Sequence, residues 1–372
     1  MNDPMAENAP SCTLEHVETV GHQAIVASNK LSDHTTLRIG GTARELIVAT
    51  TADELVAAIT EADDQGIPVL ILGGGSNLVI SDDEFQGRVV RVASRGISAD
   101  VSDCAGAFVT VEAGEVWDDF VAYTVQQQWI GLETLSGIPG LVGSVPIQNV
   151  GAYGAEVSQT IARVRVWDRQ ERKIATLFPA DCEFAYRMSR FKAEPDRWVV
   201  LQVSFQLELG PLSAPLRYAE LATALDKEPG ERAPLDQVRE AVLSIRANKG
   251  MVLDAADHDT WSAGSFFTNP ILEPEVAQAL PEGAPRFPQP DGRVKSSAAW
   301  LIVHAGFDKG YPMTDRPDAR AALSTKHVLA VTNRGSASSA DIVALAREVR
   351  DGVERVFGVR LVPEPVQVNC EI

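Results

Sequence analysis

The sequence predicts an α+β protein of two or three domains, and three observations carry that prediction. First, 372 residues are enough to bury more than one core. Second, strand-like alternation and helical stripes come in blocks rather than in strict βαβ succession, which favours α+β over a doubly wound sheet. Third, the texture changes at Ala255, where compact turns, paired aromatics and a long terminal helix begin.

The opening MNDPMAENAPSCTLEHVETVGHQ lacks the basic start and apolar block of a signal peptide, and residues 1–30 are expected to be a mobile tail. Leu31 to Ala49 contains a Gly40-Gly41 turn between two runs of strand character. Thr51 and Glu54 then stand at capping-box spacing, and Leu55, Ala58, Ile59 and Ala62 form a helical stripe that stops at Gly66. Pro68 to Leu72 reads as a buried strand that runs into Gly73, Gly74, Gly75, Ser76 and Asn77, after which Leu78 to Ile80 continues as a strand. A Rossmann loop would open a helix and a P-loop would carry Gly-Lys-Ser/Thr, so neither fits. A glycine turn whose N–H groups face a phosphate and an ordinary hairpin both remain open at this point.

Val89 to Val92, Phe108 to Val111, Ile161 to Trp167 and Trp198 to Leu207 alternate like strands, and Trp117 to Gln128 has helical spacing. Between them, Leu135 to Ala155 (LSGIPGLVGSVPIQNVGAYGA) carries no charged side chain but five glycines and two prolines. Such a stretch is a poor helix and a poor strand. It suits bare backbone packed against a flat or anionic ligand, with a Gly/Pro-rich connector as the alternative. Leu212 to Tyr218 reads as a loop, and Leu235 to Asn248 as a helix with a basic end at Arg246 and Lys249. Beyond Ala255, a helix is expected from Ser296 to His304, a strand from Val328 to Thr332, and a helix from Ala340 to Phe357, started by Ser338 and Asp341 and stopped by Gly358. Val359 to Val368 is expected as a closing strand broken by Pro363-Glu364-Pro365.

The net charge of −18 argues against nucleic-acid partners. No uncharged apolar run reaches about 18 residues without glycine and proline breaks, so no membrane partner is expected. Cys12, Cys104, Cys182 and Cys370 form no metal-binding spacing; no metal is expected, and free thiols in a reducing cytoplasm are the simplest account.

Six segments, taken together, resemble the UDP-N-acetylenolpyruvoylglucosamine reductases: PVLILGGGSNLVI (68–80), IPGLVGSVPIQNVGAYGAEV (138–157), CEFAYRMSRFK (182–192), AGSFFTNP (263–270), FPQPDGRVKSSAAWLI (287–302) and LVPEPVQV (361–368). They occur in the family's order and span nearly everything after residue 30. The resemblance implies a two-part FAD-binding domain of the vanillyl-alcohol oxidase type plus a C-terminal α+β substrate domain. FAD would be held non-covalently, with NADPH as co-substrate and a UDP-sugar as substrate. It divides the chain into 31–95 and 96–212 for the two FAD subdomains, 213–254 for a substrate loop and helix, 255–358 for the substrate domain, and 359–372 for a strand with a catalytic glutamate.

By the same resemblance Arg187, Ser265 and Glu364 would be catalytic. FAD would lie on Gly73, Gly74, Gly75, Ser76, Asn77, Gly137, Ile138, Pro139, Gly140, Gly143, Ser144, Gln148, Asn149, Gly151, Ala152, Tyr153 and Gly154. Tyr186, Tyr218, Lys249, Asn269 and Lys309 would meet substrate, Tyr218 from a covering loop. Phe287 stands where some members carry tyrosine. The expected activity is NADPH-dependent reduction of the enolpyruvyl ether of UDP-N-acetylglucosamine in a cytoplasmic enzyme, with a monomer favoured. Another flavoprotein of the same fold and a flavin-free nucleotide-sugar sensor are the competing readings.

Overall fold

The computed structural model describes residues 13–19 and 28–372. A parallel three-stranded sheet comes first after residue 28, with Phe85–Val92 between Ala43–Ala49 and Val69–Leu72. Helix Ala52–Asp64 covers it through Leu55, Ala58, Ile59 and Ala62, the stripe read from the sequence. Burying one such leucine or isoleucine side chain contributes about 1.5–3 kcal/mol. Thr51 caps the helix by accepting from the Glu54 N–H, while the Glu54 carboxylate reaches one residue beyond the expected box and accepts from Thr50 N at 2.8 Å. The first expected strand run opens instead with a 3-10 turn, Leu31–His34, in which Leu31 and His34 are buried and the His34 ring bonds to Ser28 O at 2.6 Å.

The second sheet is antiparallel, in the order Glu15–Thr19, Ile97–Ser102, Gly106–Glu112, Trp198–Leu209, Ile161–Asp168, Lys173–Leu177. Glu15–Thr19 therefore corrects the expected mobile tail: its main chain completes a sheet edge along Ile97–Ser102. Residues 28–30 correct it as well, since Lys30 bridges Thr42 and Asn29 O accepts from Ala43 N at 2.7 Å; residues 1–12 and 20–27 lie outside the described residues. Helix Trp117–Gln126 packs on this sheet, with the Phe120 and Phe205 rings 5.2 Å apart. No side chain caps its N-terminus. The uncharged loop does so instead: Trp117 N donates to Gly140 O at 3.0 Å, and Trp117 Nε1 to Leu135 O at 3.0 Å.

The C-terminal part centres on helix Ser339–Phe357, which has the expected Ser338/Asp341 capping box and ends at Gly358 with φ +67°. Helix Ala298–His304 starts two residues later than expected because Ser297 is its cap, and the expected Val328–Thr332 strand is Val331–Asn333, paired with Ala321–Leu323. Of the closing strand only Val366–Val368 forms a strand, parallel to Leu78–Ile80, while Pro363 makes an isolated antiparallel bridge with Phe267. The prolines interrupt the segment before it. Leu37, Ile39 and Val79 from the N-terminal part share a buried cluster with Phe266, Phe267 and Ile342, which fastens the two ends of the chain together. The cysteine expectation is also corrected: Cys104 is disulfide-bonded. Cys182 is free and buried, and that burial pushes its thiol up to about 12.

Candidate active site

The two glycine segments form one surface. Ser76 Oγ donates to Pro139 O at 3.0 Å, and Asn77 Nδ2 donates to Gln148 Oε1 at 3.0 Å. A Cβ placed on Gly74 would lie 2.7 Å from Gly140 Cα, so the two backbones touch where any side chain would part them. Gly75 has φ +62°, and a Cβ there would fall 1.8 Å from His34 O. Gly137 is held from the helix side, its N–H donating to Asp118 Oδ1 at 2.6 Å, while Arg239 clamps both Asp118 oxygens at 2.6 and 2.8 Å. Burial opposes the Asp118 charge, but Arg239 and the Gly137 N–H hold its carboxyl below the usual range.

Beside this surface stands a tight turn. Ala185 and Met188 exchange N–H···O bonds of 3.0 and 3.1 Å, which leaves Tyr186 and Arg187 at the tip. Arg187 has φ +53°, a conformation that costs roughly 1–2 kcal/mol for a side chain of this kind. Several contacts hold it there. Arg187 Nη2 donates to Gly151 O at 2.7 Å, Nη1 reaches Asn149 O at 3.5 Å, and Lys192 Nζ donates to Arg187 O at 3.1 Å. Asn149, 1% exposed, donates through Nδ2 to Ala185 O and Glu156 Oε2 and accepts Ser158 N at Oδ1. Its side chain is thus committed to the turn.

Glu364 arrives from the far end of the sequence. Its Oε1 lies 3.3 Å from Arg187 Nε, its N–H donates to Phe266 O at 2.9 Å, and Asn77 Nδ2 reaches its carbonyl at 3.4 Å. Burial pushes the Glu364 carboxyl up, and Arg187 and Lys192 pull it partly back. The bond to Phe266 places the Ser265 segment directly against the glutamate segment. Tyr186 packs beneath two cations, with Lys295 Nζ 4.8 Å from its ring centroid, and interacts with Asn269, whose Oδ1 also accepts Ala298 N at 3.0 Å.

The remaining substrate candidates form a neighbouring group. Tyr218 meets Tyr153 edge to face at 5.6 Å, so its loop rests on the glycine cradle. Lys249 Nζ pairs with Glu220 Oε2 at 2.6 Å. Lys249 and Lys309 both act on His327, whose imidazole is brought down to about 4, first by burial and then by those two charges. Phe287 is exposed at the edge of a small sheet and is not drawn into these contacts.

Residues 43–175 match the model of an FAD binding domain, and residues 256–368 match that of the UDP-N-acetylenolpyruvoylglucosamine reductase C-terminal domain. The UDP-N-acetylenolpyruvoylglucosamine reductase of Cutibacterium acnes is 57% identical over 99% of this chain and 98% of its own length. That of Salinispora arenicola is 54% identical over 92% and 95%. The chain belongs to the UDP-N-acetylenolpyruvoylglucosamine reductase family. The reductase of the same name from Thermus caldophilus, 23% identical, shares the fold over 96% of this chain and 99% of its own with a TM-score of 0.60.

An FAD-containing oxidoreductase of the reductase family needs a place for the cofactor, and the residues present fit one. The cradle leaves Gly73, Gly74, Ser76 and Asn77 part-exposed alongside part-exposed Gly137 to Gly140, Gly143 and Ser144. Arg246, 9% exposed, has a buried Nε–H without a hydrogen-bond partner beside Gly137. Helix spacing marks Arg246 only as part of a basic C-terminal end with Lys249; in the structure its Nη2 is turned inward onto Met251 O at 2.9 Å. Sequence reasoning also left out Asp118, Arg239 and Lys192. Asp118 lies inside the helical stretch Trp117 to Gln128 with no role assigned to it, while Lys192 is the last residue of a recognised segment, and no signal in the sequence shows whom it faces.

Proposed function

We propose that this chain catalyses the NADPH-dependent, FAD-mediated reduction of the enolpyruvyl ether of UDP-N-acetylglucosamine to UDP-N-acetylmuramate, a step of peptidoglycan precursor synthesis. The observation that carries the reading is the Arg187–Glu364 pair, 3.3 Å apart, set between the glycine cradle and the Ser265 segment. When bound, FAD supplies hydride transfer from NADPH to the terminal carbon of the enolpyruvyl double bond.

Negative charge then develops on the neighbouring carbon and its carboxylate. The Arg187 guanidinium, fixed by carbonyls and half-buried, offers a preorganised cation to that charge. Glu364, kept toward its protonated form by burial, donates a hydrogen bond to the same oxygen. The Ser265 hydroxyl delivers the proton to the carbon that bears the charge and recovers one from solvent. Lys249, Lys309, Asn269 and Tyr186 line the approach, Lys309 facing the diphosphate and Lys249 and Asn269 standing near Ser265, and Tyr218 covers it. The glycine cradle from Gly73 to Asn77 and Gly137 to Gly154 would hold the cofactor, largely through main-chain groups. In this reading the chain works in the cytoplasm as a monomer, and its parts fall at 31–95, 96–212, 213–254, 255–358 and 359–372.

Anaerobic stopped-flow tests the whole scheme. The purified protein is expected to be yellow, to be bleached by NADPH, and to recover its colour with the enolpyruvyl substrate while a product two hydrogens heavier forms. Protein without extractable FAD, or bleached protein indifferent to that substrate, overturns the proposal.

A further inference from the structure

Lys192 has no part in the roles assigned above, yet it touches the turn on which they depend. It lies in the one-turn helix Arg190–Ala193, where a lysine would ordinarily extend into water. Here it folds back: it is half-buried, and its Nζ donates to the carbonyl of Arg187 at 3.1 Å. Ser189 anchors the same helix, its Oγ accepting from Lys192 N at 3.3 Å while donating to Ile147 O in the uncharged loop. The helix is therefore braced to the cradle on one side and grips the Arg187 peptide on the other. Arg187 sits at φ +53°, and Lys192 is the donor on its carbonyl, while the N–H of the same peptide, Met188 N, donates to Ala185 O at 3.1 Å; loss of Lys192 leaves the carbonyl side of this left-handed turn without that restraint and lets the guanidinium shift.

We propose that Lys192 is a positioning residue for the reduction, holding the Arg187 peptide in its left-handed turn and adding a second positive charge to the Glu364 side of the site. The proposal rests on the reductase reading. The charged and titratable groups that face Glu364 are Arg187 at the turn tip, Lys192 on the short helix and Tyr186. Both cations favour the Glu364 carboxylate, so loss of Lys192 moves the ionisation of Glu364 to higher pH.

The test uses FAD-loaded Lys192→Met and Lys192→Arg, with both half-reactions followed by stopped-flow across pH and with FAD content measured. In Lys192→Met, FAD content and bleaching by NADPH are expected within about twofold of wild type, while reoxidation by the enolpyruvyl substrate slows about 10- to 100-fold, as for a misplaced catalytic group. The alkaline limb of reoxidation moves to higher pH. Lys192→Arg restores most of the rate and the wild-type limb. Reoxidation and pH profile unchanged in Lys192→Met would overturn the proposal, as would equal slowing of both halves with lost FAD. A wild-type protein that is bleached by NADPH but not reoxidised by substrate overturns the reductase reading and this proposal together, whereas a competent wild type with an indifferent variant overturns this proposal alone.

Discussion

Ser265 is the residue whose role separates most cleanly in an experiment. Its hydroxyl is needed only after hydride has reached the substrate, so Ser265→Ala is expected to leave bleaching by NADPH intact and to slow reoxidation roughly 100-fold, as for loss of a positioned acid. Equal slowing of both halves in stopped-flow would make the serine a structural residue. Glu364 adds a pH signature. Its carboxyl is raised above the ordinary value of 4.5 by burial, so its donor form is present at low pH and is lost as pH rises through the raised value. The alkaline limb of wild-type reoxidation is expected to flatten in Glu364→Gln, whose amide donates at every pH; an unchanged limb removes Glu364 from the proton inventory. Both residues were legible in the sequence because each sits in a short, distinctive segment, AGSFFTNP and LVPEPVQV. The 3.3 Å approach of Arg187 to Glu364 was not legible, because 177 positions separate them and only folding closes that gap.

Among elements, the glycine cradle makes the sharpest demand on side-chain size. Gly74→Ala forces a Cβ to within 2.7 Å of the Gly140 backbone, an overpacking expected to cost about 1–3 kcal/mol. It should also part the two cradle segments, which is checked as a loss of retained FAD on gel filtration. Gly66→Ala is the control: nothing lies within 4 Å of its Cβ, and only the φ of +65° is strained. Its expected cost is about 1 kcal/mol in urea unfolding, with FAD retention unchanged. Periodicity located the helices well, since the Leu55, Ala58, Ile59 and Ala62 stripe and the Ser338/Asp341 cap are local signals. It overestimated the closing strand and missed Glu15–Thr19, because a partner strand, rather than local propensity, decides whether an extended segment pairs.

For the whole molecule, His327 links stability to pH. Its imidazole titrates near 4 in the folded protein, against an ordinary 6.5, because it is buried near Lys249 and Lys309. The lowered value means that the folded state resists protonation, so this contribution to stability is full above about pH 6.5 and is lost as pH falls toward 4. Between pH 6.5 and 4.5 the loss is on the order of 2 kcal/mol, and His327→Asn should flatten urea-unfolding midpoints across that window. Equal slopes for wild type and variant would refute the link. At this scale no described helix is long and apolar enough to cross a membrane, and the described residues contain no group of three or more His, Cys, Asp or Glu placed to hold a metal ion.

The sequence by itself determined the α+β class, the helix boundaries to within a few residues, the uncharged cradle and the family resemblance, since these depend on local pattern and on motifs that occur in order. Tertiary structure alone decided that Trp117 and Asp118 anchor the cradle, that Lys192 grips Arg187, that Arg246 turns inward, and that Val366–Val368 pairs with Leu78–Ile80 to carry Glu364 to the site. Those contacts join positions far apart in the chain or depend on the direction of one flexible side chain. Their energies come from burial and from partners supplied by other elements, and neither is written in the spacing of residues along one segment.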